Sequence, residues 1–264
     1  MNTANAPASI QHVEYVMGMA VSFDIRGPLP TRPALDSAVA WLHHVDATFS
    51  TYKPDSPISR LGRGELTLDD VTPEVVRVLR RCIQLTTLTN GAFDAFAVPA
   101  ANGTNLDPSG LVKGWAIEHA ANLLEQQGAT SFCINAGGDI ALRGDSEPGQ
   151  PWRVGIRHPQ RPDQQAIVLS LAGSHAIATS ATYERGAHIV DPTSGMPTTE
   201  LASVTVIGPD LGDADAFATA VFVMGPAGLD WIETQPGYEA YIITHDDTTH
   251  WTSGFPATTD NSLL

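Results

Sequence analysis

Residues 212–225, GDADAFATAVFVMG, form an almost wholly apolar run that contains one pair of polar side chains able to do chemistry. Asp215 and Thr219 are four residues apart, so on a helix both side chains project from one face. A carboxylate near a helix start interacts favourably with the helix dipole, and a threonine hydroxyl bonds back to its own helix. Alternatively, the pair supplies carboxylate and hydroxyl oxygens of the kind that Mg²⁺ binds. Spacing alone leaves both interpretations open.

A second candidate lies in residues 105–116, NLDPSGLVKGWA, where Asp107 and Lys113 bracket a Pro-Ser-Gly turn that leads into a predicted helix. Exposed amides at a helix start, together with a nearby lysine, can hold a phosphate group. An ordinary turn followed by a solvated lysine gives the same pattern. Spacing leaves both interpretations open, and this stretch is the best candidate for the anionic company that a Mg²⁺ site at Asp215 and Thr219 would need.

Three further places in the sequence have both structural and functional interpretations. The two glycines of residues 135–140, NAGGDI, allow a close approach to a ligand, and a tight hairpin explains them equally well. Asp94 lies between Phe93 and Phe96, where a carboxylate must be hydrogen-bonded or hold a polar ligand group. His188 stands at the head of a predicted apolar strand, where most histidines are structural. Each position therefore needs support from the others.

Composition limits the class of protein and of partner. The chain has 264 residues, of which 42% are hydrophobic, and this is enough for a large folded core. Its 29 acidic residues outnumber its 14 Lys and Arg residues and give a formal charge of −15. Such a charge should repel nucleic acids and anionic membrane surfaces. We therefore expect no nucleic-acid partner.

The amino-terminal stretch and the cysteines bear on the compartment. The opening MNTANAPASIQHVEY lacks the basic and apolar regions of a secretion signal, and no later run is long enough to span a bilayer. Cys82 and Cys133 lack the spacing of a zinc or redox motif, so buried free thiols are expected. These features predict a cytoplasmic protein without a transmembrane segment.

The elements that must position these groups follow from periodicity and from turn residues. Helices are predicted over residues 31–50, 72–91, 112–128 and 212–225. Strands are predicted over residues 14–27, 131–136, 140–144, 152–158, 166–173, 175–181, 187–191, 202–208 and 238–246. This order favours an α+β fold with a mostly antiparallel sheet, not a regular βαβ repeat. We expect residues 1–12 to be a flexible amino-terminal segment and residues 13–264 to form a single domain.

Eight short stretches, taken together and in order, resemble the ApbE family of FAD:protein FMN transferases. The resemblance runs from about residue 17 to residue 225. Each stretch is weakly specific alone, whereas eight in the same order are strongly so. They are Met17-Gly18, FSTYKPDSPISRL, NGAFDAF, LDPSGLVKGWA, NAGGDI, WRVGIRHP, AIATSATYERGAHIVDPTSGMP and DADAFATAVFVMG.

The resemblance implies an ApbE-like α+β fold with the ligand site between two halves of the chain. It also implies that FAD is the substrate, that Mg²⁺ bridges its pyrophosphate, and that FMN passes to a Thr or Ser hydroxyl of an acceptor flavoprotein while AMP leaves. Asp215 and Thr219 match the family's metal ligands, and the carbonyl of Gly110 is the third. The resemblance therefore favours the metal-binding interpretation of Asp215 and Thr219.

The resemblance assigns further positions to the FAD site and to catalysis. Tyr52 matches the aromatic position that packs against the flavin nucleotide. His188 matches the catalytic histidine, which takes the proton of the acceptor hydroxyl. The positions that line the FAD site are Met17, Ala92, Phe93, Asp94, Asp107 and Lys113. Two other functions stay open, namely an Mg²⁺-dependent FAD pyrophosphatase that yields FMN and AMP, and a non-catalytic FAD-binding protein.

Overall fold

A computed structural model of the chain describes residues 9–27, 32–97, 100–182 and 189–256. Its helices are α1 (Arg32–Phe49), α2 (Pro57–Gly62), α3 (Pro73–Leu88), α4 (Ser109–Gln126), α5 (Leu211–Met224) and α6 (Gly228–Ile232). Its strands are β1 (Ser9–Val16), β2 (Met19–Arg26), β3 (Ser131–Ala136), β4 (Asp139–Arg143), β5 (Trp152–Arg157), β6 (Gln165–Leu171), β7 (His175–Ala181), β8 (Leu201–Gly208), β9 (Glu239–Thr244) and β10 (Thr249–Trp251). No helix in these ranges is long and apolar enough to cross a membrane.

The main sheet has eight strands in the order β1-β2-β3-β4-β7-β8-β9-β10, and every neighbouring pair is antiparallel. Strands β5 and β6 form a separate two-stranded ribbon between β4 and β7 in the chain. The predicted α+β class with a mostly antiparallel sheet is therefore confirmed. The position of the ribbon explains why β4 pairs with β7 and not with the next strand in sequence.

Two apolar clusters cover opposite faces of the main sheet. One is formed with the helices and contains residues such as Phe23, Ile117 and Phe222. The other is formed with the β5–β6 ribbon and contains residues such as Trp152 and Ile177. Strand β8 is buried at all eight of its positions, as expected for a strand covered on both faces.

Helix α5 corresponds to the apolar run with the polar pair, and it lies in the centre of the fold. It packs against α4 on one side and against β7 and β8 on the other. A helix that is apolar around its whole circumference is usually buried, and burial on several sides explains the composition of this run. Of its polar side chains, Asp215 is buried and needs a partner inside the protein, whereas Asp213 and Thr219 are partly exposed.

The single strand predicted over residues 14–27 is wrong. The structure has two strands, β1 and β2, joined by a two-residue turn at Met17 and Gly18. Both turn residues have positive φ values, 54° and 74°, as a primed hairpin turn requires. The apolar alternation continues in both strands, so periodicity did not reveal the turn. Residues 9–12 also pair within β1, so the predicted flexible segment of residues 1–12 includes ordered strand; the single-domain assignment stays a prediction.

The two cysteines are free thiols, as predicted, and neither is activated. Cys82 is buried on α3, and Cys133 is partly buried on β3. Burial raises the pKa of each thiol to about 12. A thiol with so high a pKa holds almost no thiolate near neutral pH, so neither cysteine is a candidate nucleophile.

Candidate functional site

The site is built at a close crossing of α4 and α5 that depends on glycine. A Cβ atom on Gly114 would lie 2.2 Å from the carbonyl oxygen of Leu211 and 2.9 Å from the Cβ atom of Asp215. A Cβ atom on Gly212 would lie 3.2 Å from the backbone of Trp115. Because no side chain separates the helices here, the Gly114 N–H donates a hydrogen bond of 3.0 Å to Oδ2 of Asp215.

Asp215 lies in the second turn of α5 and therefore does not cap the helix. The helix begins at Leu211; Asp210 is its N-cap and accepts a bond from the Asp213 N–H, and Asp213 is the acidic residue of the first turn. The dipole effect falls off within that first turn. Asp215 is only 4% exposed, so its carboxylate faces a protein interior and not solvent. The helix-dipole interpretation of Asp215 therefore does not apply.

A second buried carboxylate, Asp139, shares a lysine with Asp215. The Nζ atom of Lys113 lies 2.9 Å from Oδ2 of Asp139 and 3.9 Å from Oδ1 of Asp215. Asp139 is completely buried, and its Oδ1 atom accepts a 3.3 Å bond from the Thr179 N–H. These side chains come from α4, β4 and α5, so the site combines residues from both halves of the chain.

The electrostatics of this group follow from burial and from the charges of the described residues around it. Burial raises the pKa of Asp139, while the Lys113 ammonium and the Thr179 N–H oppose the rise. Burial also raises the pKa of Asp215 well above its usual range; the Asp139 charge adds to this effect, and Lys113 opposes it. One ammonium thus faces two carboxylates in a low-dielectric setting. A further cation would be stabilised there.

The structure brings the other two predicted metal ligands to the same place. Thr219 is one turn after Asp215 on α5, and its hydroxyl lies 3.5 Å from the Ser180 hydroxyl at the end of β7. A Cβ atom on Gly110 would lie 3.5 Å from the Thr219 hydroxyl and 3.1 Å from the Phe93 ring. The backbone of Gly110 therefore lies beside Thr219.

The residues present fit a Mg²⁺ ion. Within the described part of the chain, no group of three or more His, Cys, Asp or Glu side chains could hold a metal. The available donors are instead one or two carboxylates, the Thr219 hydroxyl and backbone carbonyl oxygens. This set is typical of Mg²⁺, which completes its octahedron with waters and substrate phosphates.

The predicted FAD-lining residues Phe93, Asp94 and Asp107 lie together at the start of α4. The Asp107 N–H donates a 2.8 Å bond to the carbonyl of Ala95, which joins the two segments. One oxygen of Asp94 accepts a bond from the Phe96 N–H, and one oxygen of Asp107 accepts a bond from the Ser109 N–H. Both carboxylates are only partly buried, so their second oxygens are able to accept a bond from a ligand.

Met17 and Tyr52 lie on loops, and no described hydrogen bond or ion pair joins them to the Asp215 group. The Met17 turn lies at the sheet end where the β3–β4 hairpin also turns, because β2 begins beside the end of β3. Tyr52 follows α1, and it is 76% exposed. An exposed aromatic ring is available for stacking, and whether it contacts a flavin stays a prediction.

His188 lies outside the described residues, so the structure does not place the predicted catalytic side chain. Residues 187–191 were predicted as a strand. In the described part of this stretch, Val190 forms only an isolated bridge with Pro197, and residues 191–196 form a turn closed by the Gly195 N–H and the Asp191 carbonyl. The predicted strand is therefore wrong for these residues, since a turn that contains Pro192 begins at Asp191.

Sequence reasoning missed Asp139. It begins a strand, DIALR, in which all five residues are buried. A carboxylate at the start of a wholly buried strand requires a partner, and that rule would have identified it. The hairpin residues before it, Asn135, Gly137 and Gly138, line a cavity of about 490 Å³ together with Thr179 and residues of β5. The NAGGDI hairpin therefore forms a turn and also lines part of this cavity.

We expect Gly114→Ala to destabilise the protein by about 1–3 kcal/mol, because the added methyl group would meet the Leu211 backbone at the helix crossing. Urea denaturation measures the change. Asn122→Ala, at a half-exposed position of the same helix, should change the free energy of unfolding by less than about 0.5 kcal/mol. Equal stability of the two variants would contradict the close crossing.

Comparisons with known proteins identify relatives of this arrangement. The sequence model of the ApbE family matches residues 17–102 and 97–242. A protein of Klebsiella pneumoniae named FAD:protein FMN transferase is 33% identical over 150 residues, which cover 53% of this chain and 43% of that protein. A Vibrio cholerae protein of the same name is 29% identical over 237 residues, covering 70% of this chain and 71% of that protein. The chain thus matches less than half of the length of the Klebsiella protein.

Solved structures agree with the fold. The flavin transferase ApbE from Vibrio cholerae superposes with a TM-score of 0.83 at 24% identity, covering 96% of this chain and 100% of that one. The ApbE protein from Thermotoga maritima superposes with a TM-score of 0.83 at 22% identity, covering 94% of this chain and 98% of that one. The expected ApbE-like α+β fold is therefore confirmed.

Proposed function

Because this chain belongs to the ApbE family, we propose that it transfers the FMN part of FAD to a Thr or Ser hydroxyl of an acceptor flavoprotein, in a Mg²⁺-dependent reaction that releases AMP. The observation that carries the proposal is a pair of buried carboxylates, Asp215 and Asp139, beside the partly exposed ammonium of Lys113. Thr219 follows Asp215 by one helical turn. Relatives named FAD:protein FMN transferase support the same activity.

The reaction exchanges one phosphorus–oxygen bond for another. The acceptor oxygen forms a bond to the phosphorus of the FMN part, and the bond from that phosphorus to the bridging oxygen of FAD breaks. AMP leaves with the bridging oxygen, and the hydroxyl proton passes to a base. Phosphoryl transfer of this kind depends mainly on positioning and charge neutralisation. The protein therefore needs concentrated positive charge at the pyrophosphate.

Three groups would hold the metal in this proposal: the Asp215 carboxylate, the Thr219 hydroxyl and the Gly110 carbonyl. When bound, Mg²⁺ neutralises pyrophosphate charge and acts as a Lewis acid on the phosphoryl oxygens. The Lys113 ammonium, which lies 3.9 Å from the Asp215 carboxylate, would add a second positive charge beside the metal. We assign to His188 the removal of the acceptor proton, because an imidazole exchanges protons near neutral pH.

The flavin half would be held by the loops around the start of α4. We assign the stacking contact to Tyr52, whose ring is exposed, and the polar contacts to the free oxygens of Asp94 and Asp107. The remaining proposed lining residues are Met17, Ala92 and Phe93. The cytoplasmic location of the protein and of its acceptor stays a prediction.

Incubation with FAD and Mg²⁺, with and without a flavoprotein domain that presents a Thr or Ser acceptor, tests the proposal. Covalent flavin fluorescence on the acceptor in a denaturing gel is the expected result. It should disappear when the acceptor hydroxyl residue is replaced by alanine. Free FMN and AMP without labelled acceptor would favour the pyrophosphatase, and recovery of intact bound FAD would favour a non-catalytic binder.

Tyr52→Ala should weaken FAD binding without altering the Mg²⁺ dependence of transfer. A ring contact is worth about 0.5–1.5 kcal/mol beyond burial, so the dissociation constant should rise by roughly two- to tenfold. Quenching of flavin fluorescence measures it. Tyr15→Ala is the matched control, because Tyr15 is 79% exposed on β1. Unchanged FAD affinity in Tyr52→Ala would count against a stacking role.

A further inference from the structure

Helices α4 and α5 face each other at three successive levels, which are one helical turn apart on each helix. The facing pairs are Gly110 with Thr219, Gly114 with Asp215, and Glu118 with Leu211. Residue numbers rise along α4 and fall along α5 in steps of four, as when the i, i+4 ridges of two helices pack together. The first two levels contain the proposed metal ligands, and the third lies outside the proposed reaction.

Glu118 places a buried carboxylate at the third level. Its Oε2 atom accepts a 3.3 Å bond from the N–H of Leu211, the first residue of α5. An N–H group at that position has no acceptor within its own helix, and the start of a helix carries partial positive charge. The N-cap residue Asp210 accepts a bond from a different amide, that of Asp213. Glu118 therefore satisfies a donor of α5 that the helix cannot satisfy itself.

Arg143 holds the other oxygen of Glu118. Its Nη2 atom donates to Oε1 of Glu118, its Nη1 atom donates a 3.0 Å bond to the carbonyl of Leu142, and its Nε atom donates a 3.1 Å bond to Glu125. Arg143 is itself buried at the end of β4. Through Glu118, the start of α5 is thus tied to the main sheet as well as to α4.

The spacing of the proposed metal ligands depends on how α5 lies against α4. Asp215 and Thr219 belong to α5, whereas Gly110 belongs to α4. A shift of one helix along the other therefore changes the distances between the ligands. Mg²⁺ requires a nearly ideal octahedron, whereas Ca²⁺ accepts flexible and irregular coordination. A loosened helix contact should therefore weaken Mg²⁺ binding more than Ca²⁺ binding.

We propose that Glu118 is a positioning residue: it holds the Leu211 N–H and so keeps the ligands on α5 at the distance from Gly110 that Mg²⁺ requires. The proposal rests on the proposed function in one respect, namely that Asp215, Thr219 and Gly110 bind Mg²⁺. The alternative is a purely structural ion pair between Glu118 and Arg143. That role predicts no difference between the two cations.

Glu118→Met and Glu118→Gln, each made in an Arg143→Met background, form the test pair. The two side chains have similar size, but only the amide can accept the Leu211 N–H bond, and the background leaves no buried guanidinium without its partner. Mg²⁺ and Ca²⁺ are titrated calorimetrically into each full-length variant without FAD or acceptor.

Glu118→Met should weaken Mg²⁺ binding by roughly 10–100-fold relative to Glu118→Gln, and Ca²⁺ binding by less than about threefold. The lost hydrogen bond explains the first change, because the start of α5 is then free to shift against α4. Urea denaturation verifies that both variants are folded. If the double variant with Glu118→Met does not fold, Glu118→Met alone takes its place, since Arg143 then keeps Glu125 as a partner.

Two controls locate the effect. Glu125→Gln removes a charge from the same helix and from the same arginine, and Glu125 makes no described hydrogen bond to α5. It should leave both cation affinities within about threefold of wild type. Asp215→Asn should weaken the binding of both cations, because it removes a charged ligand from the proposed site.

Equal losses of Mg²⁺ and Ca²⁺ affinity in Glu118→Met, or equal Mg²⁺ affinities in Glu118→Met and Glu118→Gln, would overturn the positioning role alone. Mg²⁺ binding that is absent in wild type or unaffected by Asp215→Asn would contradict the proposed metal site and, with it, this inference. Failure to detect flavin transfer would contradict the proposed function but not the positioning role, because binding is measured without FAD.

Discussion

Asp215→Asn should reduce flavin transfer by at least about 10²-fold while the protein stays folded, and excess Mg²⁺ should restore part of the activity. The amide has the shape of the carboxylate and can still accept the Gly114 N–H bond. Its neutrality removes a buried charge, so the free energy of unfolding should not fall greatly. The loss should instead be electrostatic, since pyrophosphate charge would be poorly neutralised.

Transfer rates at limiting and saturating Mg²⁺, together with urea denaturation, measure both halves of this prediction. Asp213→Asn is the matched control on the same helix, because it changes the same charge outside the proposed site. Thr219→Val should give a milder loss than Asp215→Asn, since a neutral hydroxyl contributes less than a carboxylate. A rate in Asp215→Asn within a few-fold of wild type at limiting Mg²⁺ would refute the metal assignment.

The part of this site that could be predicted from the sequence is the part that depends on local geometry. The four-residue spacing of Asp215 and Thr219 places both on one face of a helix wherever that helix packs. Gly110 and Lys113 are likewise neighbours within the first turns of α4. Spacing did not predict where the helix begins or how deeply Asp215 is buried. In the structure Asp215 lies in the second turn and in the protein interior, so it does not cap the helix.

Asp139 shows why the rest could not be predicted from spacing. Its partner Lys113 is 26 residues earlier, and Thr179 is 40 residues later. Thr179 meets Asp139 only because β4 pairs with β7, and that pairing joins strands that are not consecutive in sequence. Lys113 reaches Asp139 because α4 packs against β4. Local periodicity carries no information about such an order. The same limit explains the missed turn at Met17, where two strands share one alternating pattern.

The fold class could be predicted from less information than the site could. Short alternating strands separated by turn residues favour antiparallel pairing wherever the strands lie in the sheet. The helix predicted over residues 72–91 corresponds to α3, whose buried face includes Val75, Leu79 and Cys82. A helix with one apolar face must pack on another element, and α3 contacts α4. The class and the approximate bounds of the four long helices therefore follow from local pattern, whereas the short helices α2 and α6 and the strand order do not.

His188→Ala should slow transfer by roughly 10²–10⁴-fold without weakening the binding of FAD or Mg²⁺. The proposed task of the imidazole is to take the acceptor proton, and that task touches neither the metal nor the flavin ring. The pH dependence of transfer should lose its acidic limb, because no imidazole remains to be protonated. Single-turnover rates with preloaded FAD, measured across pH, isolate this step from binding.

His175→Ala is the matched control, since His175 begins the β7 strand that leads toward residue 188 and its ring contacts only a nearby carbonyl among its described hydrogen bonds. It should leave both the rate and its pH dependence unchanged. Partial recovery of His188→Ala by added imidazole would identify proton removal as the lost function, because a small base can replace a missing side chain but cannot rebuild a binding surface. If His188→Ala instead loses FAD affinity in proportion to rate, the side chain holds substrate, and the proton must leave by another route.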